Sequence, residues 1–212
     1  MKILAISSST SRGWNSDTML DHFIRGMESV GEIYVEKIYL DDINIDLYRF
    51  ENKNGPLNHE IEFKKLTDKI KNEIDAIVIA TPTYNFSVPA HLKNFIDRIR
   101  FFALDFSIRN RIGQPVGKLG HLKMYFLVSG GTPNWAEKIL FFTFPPFWLR
   151  GVFLYYGAKV MGAFYSGDVE TFKNQKILAK CTKRGKKFAI TIKTNKQKGI
   201  LEKIFFRPPV TE

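Results

Sequence analysis

The chain has 212 residues, 44% of them hydrophobic and 14% aromatic, enough for one sizeable domain with its own core. Its formal charge of +11 is lodged in residues 173–207, which hold 12 of the 32 Lys and Arg against Glu202 alone. The remainder is neutral, so a general nucleic-acid surface is not expected, and the single Cys181 excludes both an internal disulfide and a cysteine-ligated cluster and fits a cytoplasmic location.

In chain order, Lys2 to Ser7 reads as a short buried strand. The apolar start is too brief for a secretory signal. A hydroxyl-rich loop follows, then a helix from Asn15 with Leu20, Phe23, Ile24 and Met27 at helical spacing. Ile33 to Leu40 alternates as a second strand, and Asp41 to Asn58 is irregular and polar. From His59 a helix is expected with Ile61, Leu66 and Ile70 on one face. Asp75 to Thr81 is a continuous apolar run, the mark of a parallel strand covered on both sides. Pro82 to Val88 is a loop, and Pro89 opens a helix to about Arg100 lined by Leu92, Phe95, Ile96 and Ile99. A loose stretch from Asp105 to Gly120 leads to a fourth strand, Met124 to Val128. Asn134 to Tyr156 reads as helix broken near Pro145 and Pro146, and these prolines with Arg150 rule out a membrane span there. Lys159 to Tyr165 is a fifth strand, and Phe172 to Ile192 a last helix that Gly185 weakens by about 1 kcal/mol relative to Ala. Five strands alternating with helices imply an α/β fold, a parallel sheet between helical layers, with ligands bound beyond the carboxyl ends of strands.

Three loops leave such ends. Ser7 to Ser16 offers hydroxyls, Arg12 and the free N–H groups of a helix start, a site suited to phosphate, although Ser and Thr there also suit simple capping. It is neither a P-loop nor a dinucleotide glycine motif. Thr81 to Ala90 has two prolines, the flat rings of Tyr84 and Phe86, and the amide of Asn85, a combination that suits a planar heterocycle with apolar faces and a polar edge. Ser129-Gly130-Gly131 lets backbone N–H groups approach such a ring without Cβ interference.

These loops resemble those of the flavodoxin-like NAD(P)H-dependent FMN oxidoreductases, the superfamily of FMN reductases, azoreductases and quinone reductases. Pro82-Thr83-Tyr84-Asn85-Phe86-Ser87-Val88-Pro89 followed by Leu92-Lys93-Asn94-Phe95-Ile96-Asp97-Arg98 is similar to their Pro-x-Tyr-Asn, Pro and Leu-Lys-x-x-Ile-Asp-Arg signature. Ser7 to Ser16 is similar to their phosphate loop, with Ser8 in place of a Gly, Thr10 in place of a Pro, and Arg12 one position late. The resemblance covers roughly residues 1 to 132. It implies a flavodoxin-like sheet of order 2-1-3-4-5 over residues 1–195, with 196–212 as a basic amphipathic extension. It implies FMN as cofactor, NADPH or NADH as hydride donor, a small-molecule electron acceptor (quinone, azo compound, nitroaromatic or flavin) and a homodimer. The implied cofactor-binding residues are Ser9, Ser11, Arg12, Asn15, Ser16 and Asp17; Pro82, Thr83, Tyr84, Asn85 and Phe86; and Ser129, Gly130 and Gly131. No residue is assigned as acid or base, because the flavin carries the chemistry.

Other features have two readings. His91, early in its helix, is expected to face solvent rather than to donate protons. The aromatic run Phe141, Phe142, Phe144, Phe147, Trp148, Phe153, Tyr155 and Tyr156 suits core or dimer packing better than an acceptor wall. Gly199 to Arg207 could touch an anionic membrane or pack on the parent domain, with the solvated tail preferred. The alternative function is a flavodoxin-type electron carrier, against which the basic charge and the Tyr-Asn signature both speak.

Overall fold

The computed structural model describes residues 1–139 and 145–194. The extension at 196–212, with the amphipathic Gly199 to Arg207, lies outside the described residues, as do Phe141, Phe142 and Phe144. In order, the elements are β1 (Lys2–Ser7), α1 (Asn15–Glu28), β2 (Tyr34–Tyr39), α2 (Ile61–Asn72), β3 (Ala76–Pro82), α3 (Ala90–Arg98) and α4 (Arg100–Ala103). There follow β4 (Leu104–Arg109), β5 (Pro115–Gly117), β6 (Lys123–Ser129), α5 (Asn134–Ile139), α6 (Pro145–Tyr155), β7 (Lys159–Ser166) and α7 (Gln175–Lys193). Five strands form a parallel sheet in the order β2-β1-β3-β6-β7. With β6 and β7 as fourth and fifth main strands, this is the expected 2-1-3-4-5 arrangement.

Alternation along each strand feeds two cores. Leu4, Ile6, Ile77, Ile79, Met124, Phe126 and Val128 face α2, α3 and α6, while Ile3, Ala5, Ala76, Val78, Ala80, Tyr125 and Leu127 face α1 and α7. The second face is rich in alanine, and the helices over it also come close to one another. A Cβ on Gly26 of α1 would strike the Thr182 carbonyl of α7, and one on Gly185 of α7 would strike the Phe23 carbonyl of α1. Gly185 is therefore a packing position, and the loss of helix propensity expected there is offset by backbone contact between helices. Within α6, Leu149, Phe153 and Tyr156 just beyond it are core residues, which bears out the packing reading for that part of the aromatic run.

Two local expectations are corrected. The stretch from Asp105 to Gly120 is no simple loop: β4 and β5 pair antiparallel as a two-stranded ribbon. Ile61 is exposed, and Phe63 takes its place in the core beside Leu66 and Ile70.

The long connection after β2 is fastened to α3 by polar groups. Arg98 and Glu60, both without exposed side-chain surface, form a two-pronged ion pair at 2.7 Å on each prong. Arg98 also donates to the carbonyls of Asp46 at 2.7 Å and Gly55 at 3.2 Å. Asn94 accepts from Tyr48 N–H at 2.8 Å and donates to the carbonyls of Ile45 and Asp46. Burial disfavours the Glu60 charge, but Arg98 and the N–H groups of Leu57 and Asp46 outweigh it and hold the carboxyl below its ordinary value. Two polar residues of the signature helix thus serve the scaffold. Among the described residues no helix is long and apolar enough to cross a membrane.

Candidate flavin site

The loops after β1, β3 and β6 meet at one end of the sheet. Ser8 N–H and Oγ both reach the Ala80 carbonyl, at 2.8 and 3.2 Å. Thr83 N–H donates to the Ser129 carbonyl at 2.8 Å. The residues expected at a cofactor site therefore do come together, although their surroundings differ.

The loop after β3 closes on itself. Tyr84 and Ser87 exchange two backbone hydrogen bonds of 2.9 Å, and the residues between them have positive φ, 49° at Asn85 and 61° at Phe86. Two consecutive left-handed residues make a type I′ turn. Asn tolerates that region, whereas Phe there carries a strain of about 1–2 kcal/mol. The turn holds both rings outward, Tyr84 at 48% and Phe86 at 64% exposure. Beside it, Gly130 N–H donates to the Ser166 carbonyl at 2.9 Å. A Cβ on Gly130 would collide with the Thr83 hydroxyl and lie 2.7 Å from the Tyr165 hydroxyl, so only glycine brings the backbone this close. Ser129 is buried and Gly131 is exposed, with ordinary room around its Cα.

The loop after β1 is braced from elsewhere in the chain. Ser9 Oγ donates to the Ser11 carbonyl at 3.1 Å and accepts from Ser11 N–H at 3.2 Å, a local turn. Arg12 pairs with Asp42 and lies over the Tyr39 ring, 4.2 Å from its centre. Asn15 uses both ends of its amide to reach the segment before α7, donating to the Val169 carbonyl at 2.9 Å and accepting from Phe172 N–H at 3.1 Å. Asp17 is buried, accepts from Gly13 N–H at 2.8 Å and pairs with Lys37 at 2.8 Å. Burial opposes its charge, but Gly13 N–H and Lys37 prevail and hold it below the ordinary carboxylate value. Lys37 also pairs with Asp21 at 2.6 Å, and these contacts raise it despite partial burial.

Arg12, Asn15 and Asp17 are thus committed to shaping the loop, whereas Ser16 is not. Its hydroxyl is buried in the first turn of α1 and has no hydrogen-bond partner among the described residues. The helix starts at Trp14 without a side-chain cap. An uncapped helix start with an orphaned hydroxyl suits a phosphate oxygen, and the exposed, roomy Gly131 next to Gly130 suits a ring edge. The residues present therefore fit a flavin mononucleotide.

His91 departs from expectation. It is half-buried, and its Nε2 lies 2.9 Å from the Ser8 carbonyl, so it ties α3 to the first loop instead of facing water. Its place at the start of a helix gave no hint of this, since the partner is 83 residues away.

Comparison with known proteins agrees with this geometry. The family described as NADPH-dependent FMN reductase matches residues 1–132. The FMN-dependent NADH:quinone oxidoreductase of Mycoplasma mobile is 35% identical over 112 residues, 50% of this chain and 52% of that protein. The chain thus spans about half the length of such curated relatives. Among solved structures, the azoreductase from Bacillus anthracis str. Sterne superposes with a TM-score of 0.66 at 18% identity, covering 89% of this chain and 98% of that one. The NAD(P)H:quinone oxidoreductase from Methanothermobacter marburgensis gives 0.66 at 17% identity, over 92% and 99%. At such identities these structures establish the flavodoxin-like fold. The family match takes in all three loops, and the chain belongs to the NADPH-dependent FMN reductase family.

Proposed function

We propose that the chain binds FMN across the carboxyl ends of β1, β3 and β6 and acts as an FMN-dependent NAD(P)H oxidoreductase. The observation that carries this reading is the turn at Tyr84–Ser87, which projects two aromatic rings beside a glycine-lined backbone. When bound, FMN supplies a centre that accepts hydride from NADH or NADPH and passes it to an organic acceptor. Tyr84 and Phe86 cover the faces of the ring. Pro82 and Thr83 set the entry to the turn, and Asn85 with the backbone of Ser129, Gly130 and Gly131 meets the polar edge. Ser9, Ser11, Ser16 and the first N–H groups of α1 take the phosphate, in a loop that Arg12, Asn15 and Asp17 hold in shape. His91 positions that loop through Ser8 and touches no reacting group.

The curated relatives are named for NADH and quinone, so a quinone is the first acceptor to test, followed by azo dyes, nitroaromatics and free flavin. A cytoplasmic homodimer, with residues 1–195 as the flavin domain, completes the reading. The decisive experiment is anaerobic stopped-flow mixing of the FMN-loaded chain with NADH or NADPH. Rapid bleaching of flavin absorbance, followed by reoxidation on adding a benzoquinone, is expected. An electron carrier of flavodoxin type would bind FMN yet bleach slowly with both nucleotides, and that outcome would overturn the enzymatic reading.

A further inference from the structure

Away from the three loops, and sharing no residue with them, a cleft of about 280 Å³ opens along β7, the strand at one edge of the sheet. Its wall includes Arg150 from α6, Tyr125 from β6, and Arg184, Lys187, Phe188 and Thr191 from α7. The last four recur at helical spacing, so α7 turns a single face to the cleft.

Charge balance sets this cleft apart. Elsewhere, cations that tie elements together meet carboxylates: Lys37 meets Asp17 and Asp21, Lys69 meets Glu36, and Arg98 meets Glu60. Among the described residues no acidic side chain lines the cleft, and α7 contains none. Arg184 is held instead by neutral groups. It donates to the Tyr125 hydroxyl at 3.3 Å and lies 4.5 Å from the centre of the Phe164 ring. That fixes the guanidinium while leaving its charge uncompensated and other N–H groups unused among the described residues. The side chains of Arg150 and Lys187 make no hydrogen bond or ion pair among the described residues. Three cations around one small space repel each other, and an anion placed between them relieves that repulsion.

We propose that this cleft binds the phosphate group of a phosphate ester. The planar fork of Arg184 matches the oxygens of a phosphate, with Lys187 and Arg150 as additional charges. Met161, partly buried in the cleft wall, offers apolar surface to the carbon part of the ester. The volume lies just below the usual range for drug-sized ligands, so the ligand is of headgroup size. Such a group comes either from a soluble phosphate ester or from an anionic phospholipid.

The test is a titration of the isotopically labelled full chain with inorganic phosphate, followed by amide NMR at constant ionic strength with chloride as control. Saturable shifts at the Lys187 and Thr191 amides are expected. The apparent affinity should fall at least tenfold in the R184Q/K187Q variant and hold in S16A, which alters only the flavin phosphate loop. Both substituted residues of the double variant are exposed, so folding is not at stake. Equal shifts with chloride, or an unchanged titration in R184Q/K187Q, would overturn the site. Glycerol 3-phosphate and phosphatidylglycerol vesicles, the latter against phosphatidylcholine, then separate the sources. Binding of either that is lost in R184Q/K187Q supports the site and names its ligand class, whereas binding of neither overturns the ester.

Discussion

The loops after β1 and β3 lie side by side at the sheet end, yet they are built on opposite plans. The loop after β3 takes its shape from four consecutive residues, whose two mutual hydrogen bonds and two left-handed residues define it. The loop after β1 takes its shape from Asp42, Lys37, His91, Val169 and Phe172, contributed by four other parts of the chain. A locally made loop can hold aromatic rings out to a ligand at little cost to the remainder of the fold. A loop braced from afar makes the orientation of its helix start depend on the whole domain.

This contrast gives graded expectations. Asp17→Ala should show the largest effect, since it leaves Lys37 with half of its compensation and Gly13 N–H without an acceptor. A loss of about 3 kcal/mol in urea unfolding is expected, together with loss of FMN binding. If stability stays within about 0.5 kcal/mol of the parent, the loop is not braced as described. The same carboxylate sets a pH dependence. Asp17 and Glu60 titrate lower in the folded chain than unfolded, so their stabilisation is complete above the ordinary carboxylate range of about pH 4. It fades as pH falls through their lowered native values, and Asp17→Asn should flatten the acid side of a stability-against-pH curve.

Gly130→Ala should follow in size. The added methyl meets the Thr83 and Tyr165 hydroxyls, a strain of about 1–3 kcal/mol that thermal unfolding would register, with flavin affinity reduced at least tenfold. In the locally made loop the two measurements should part company. Tyr84→Ala is expected to weaken FMN binding by about tenfold, read by fluorescence quenching, on an aromatic contact of about 0.5–1.5 kcal/mol. The urea midpoint should hardly move, because the residue is half exposed. The smallest effect, of opposite sign, belongs to Phe86→Gly. It relieves the left-handed strain and creates the favoured Asn-Gly turn, so a gain of about 0.5 kcal/mol is expected alongside weaker FMN binding. A loss of stability there would mean that the ring contributes more by packing than its backbone costs.

The same contrast explains what could be read from the sequence. The turn from Pro82 to Ser87 was legible because its residues act on near neighbours, and strands alternating with helices announced a parallel sheet, whose order came from the family resemblance. The serine-rich segment was legible as a phosphate-suited helix start, but not in which of its residues brace it. Arg12 and Asn15 carry phosphate-binding chemistry, but partners 30 and more than 150 residues away use it. Arg98 and Glu60 look like surface charges until the fold buries them against each other, and Gly185 looks like a flaw in a helix until α1 is laid across it. The β4–β5 ribbon was missed although Leu104 to Arg109 alternates strictly between apolar and polar residues; its partner is only the three-residue Pro115–Gly117, and the glycines around it read as a loop.

The crossing of α1 and α7 has one more consequence. Where Gly26 and Gly185 meet the opposite helix, backbone lies on backbone, with no side chain between them to act as a cushion. Such a joint can neither roll nor slide without driving carbonyl groups together, so the start of α1 is a fixed datum for whatever docks there. Adaptation to ligands of different bulk must then come from the turn at Asn85–Phe86, and remodelling of acceptor preference should begin with that turn and leave the helix pair intact.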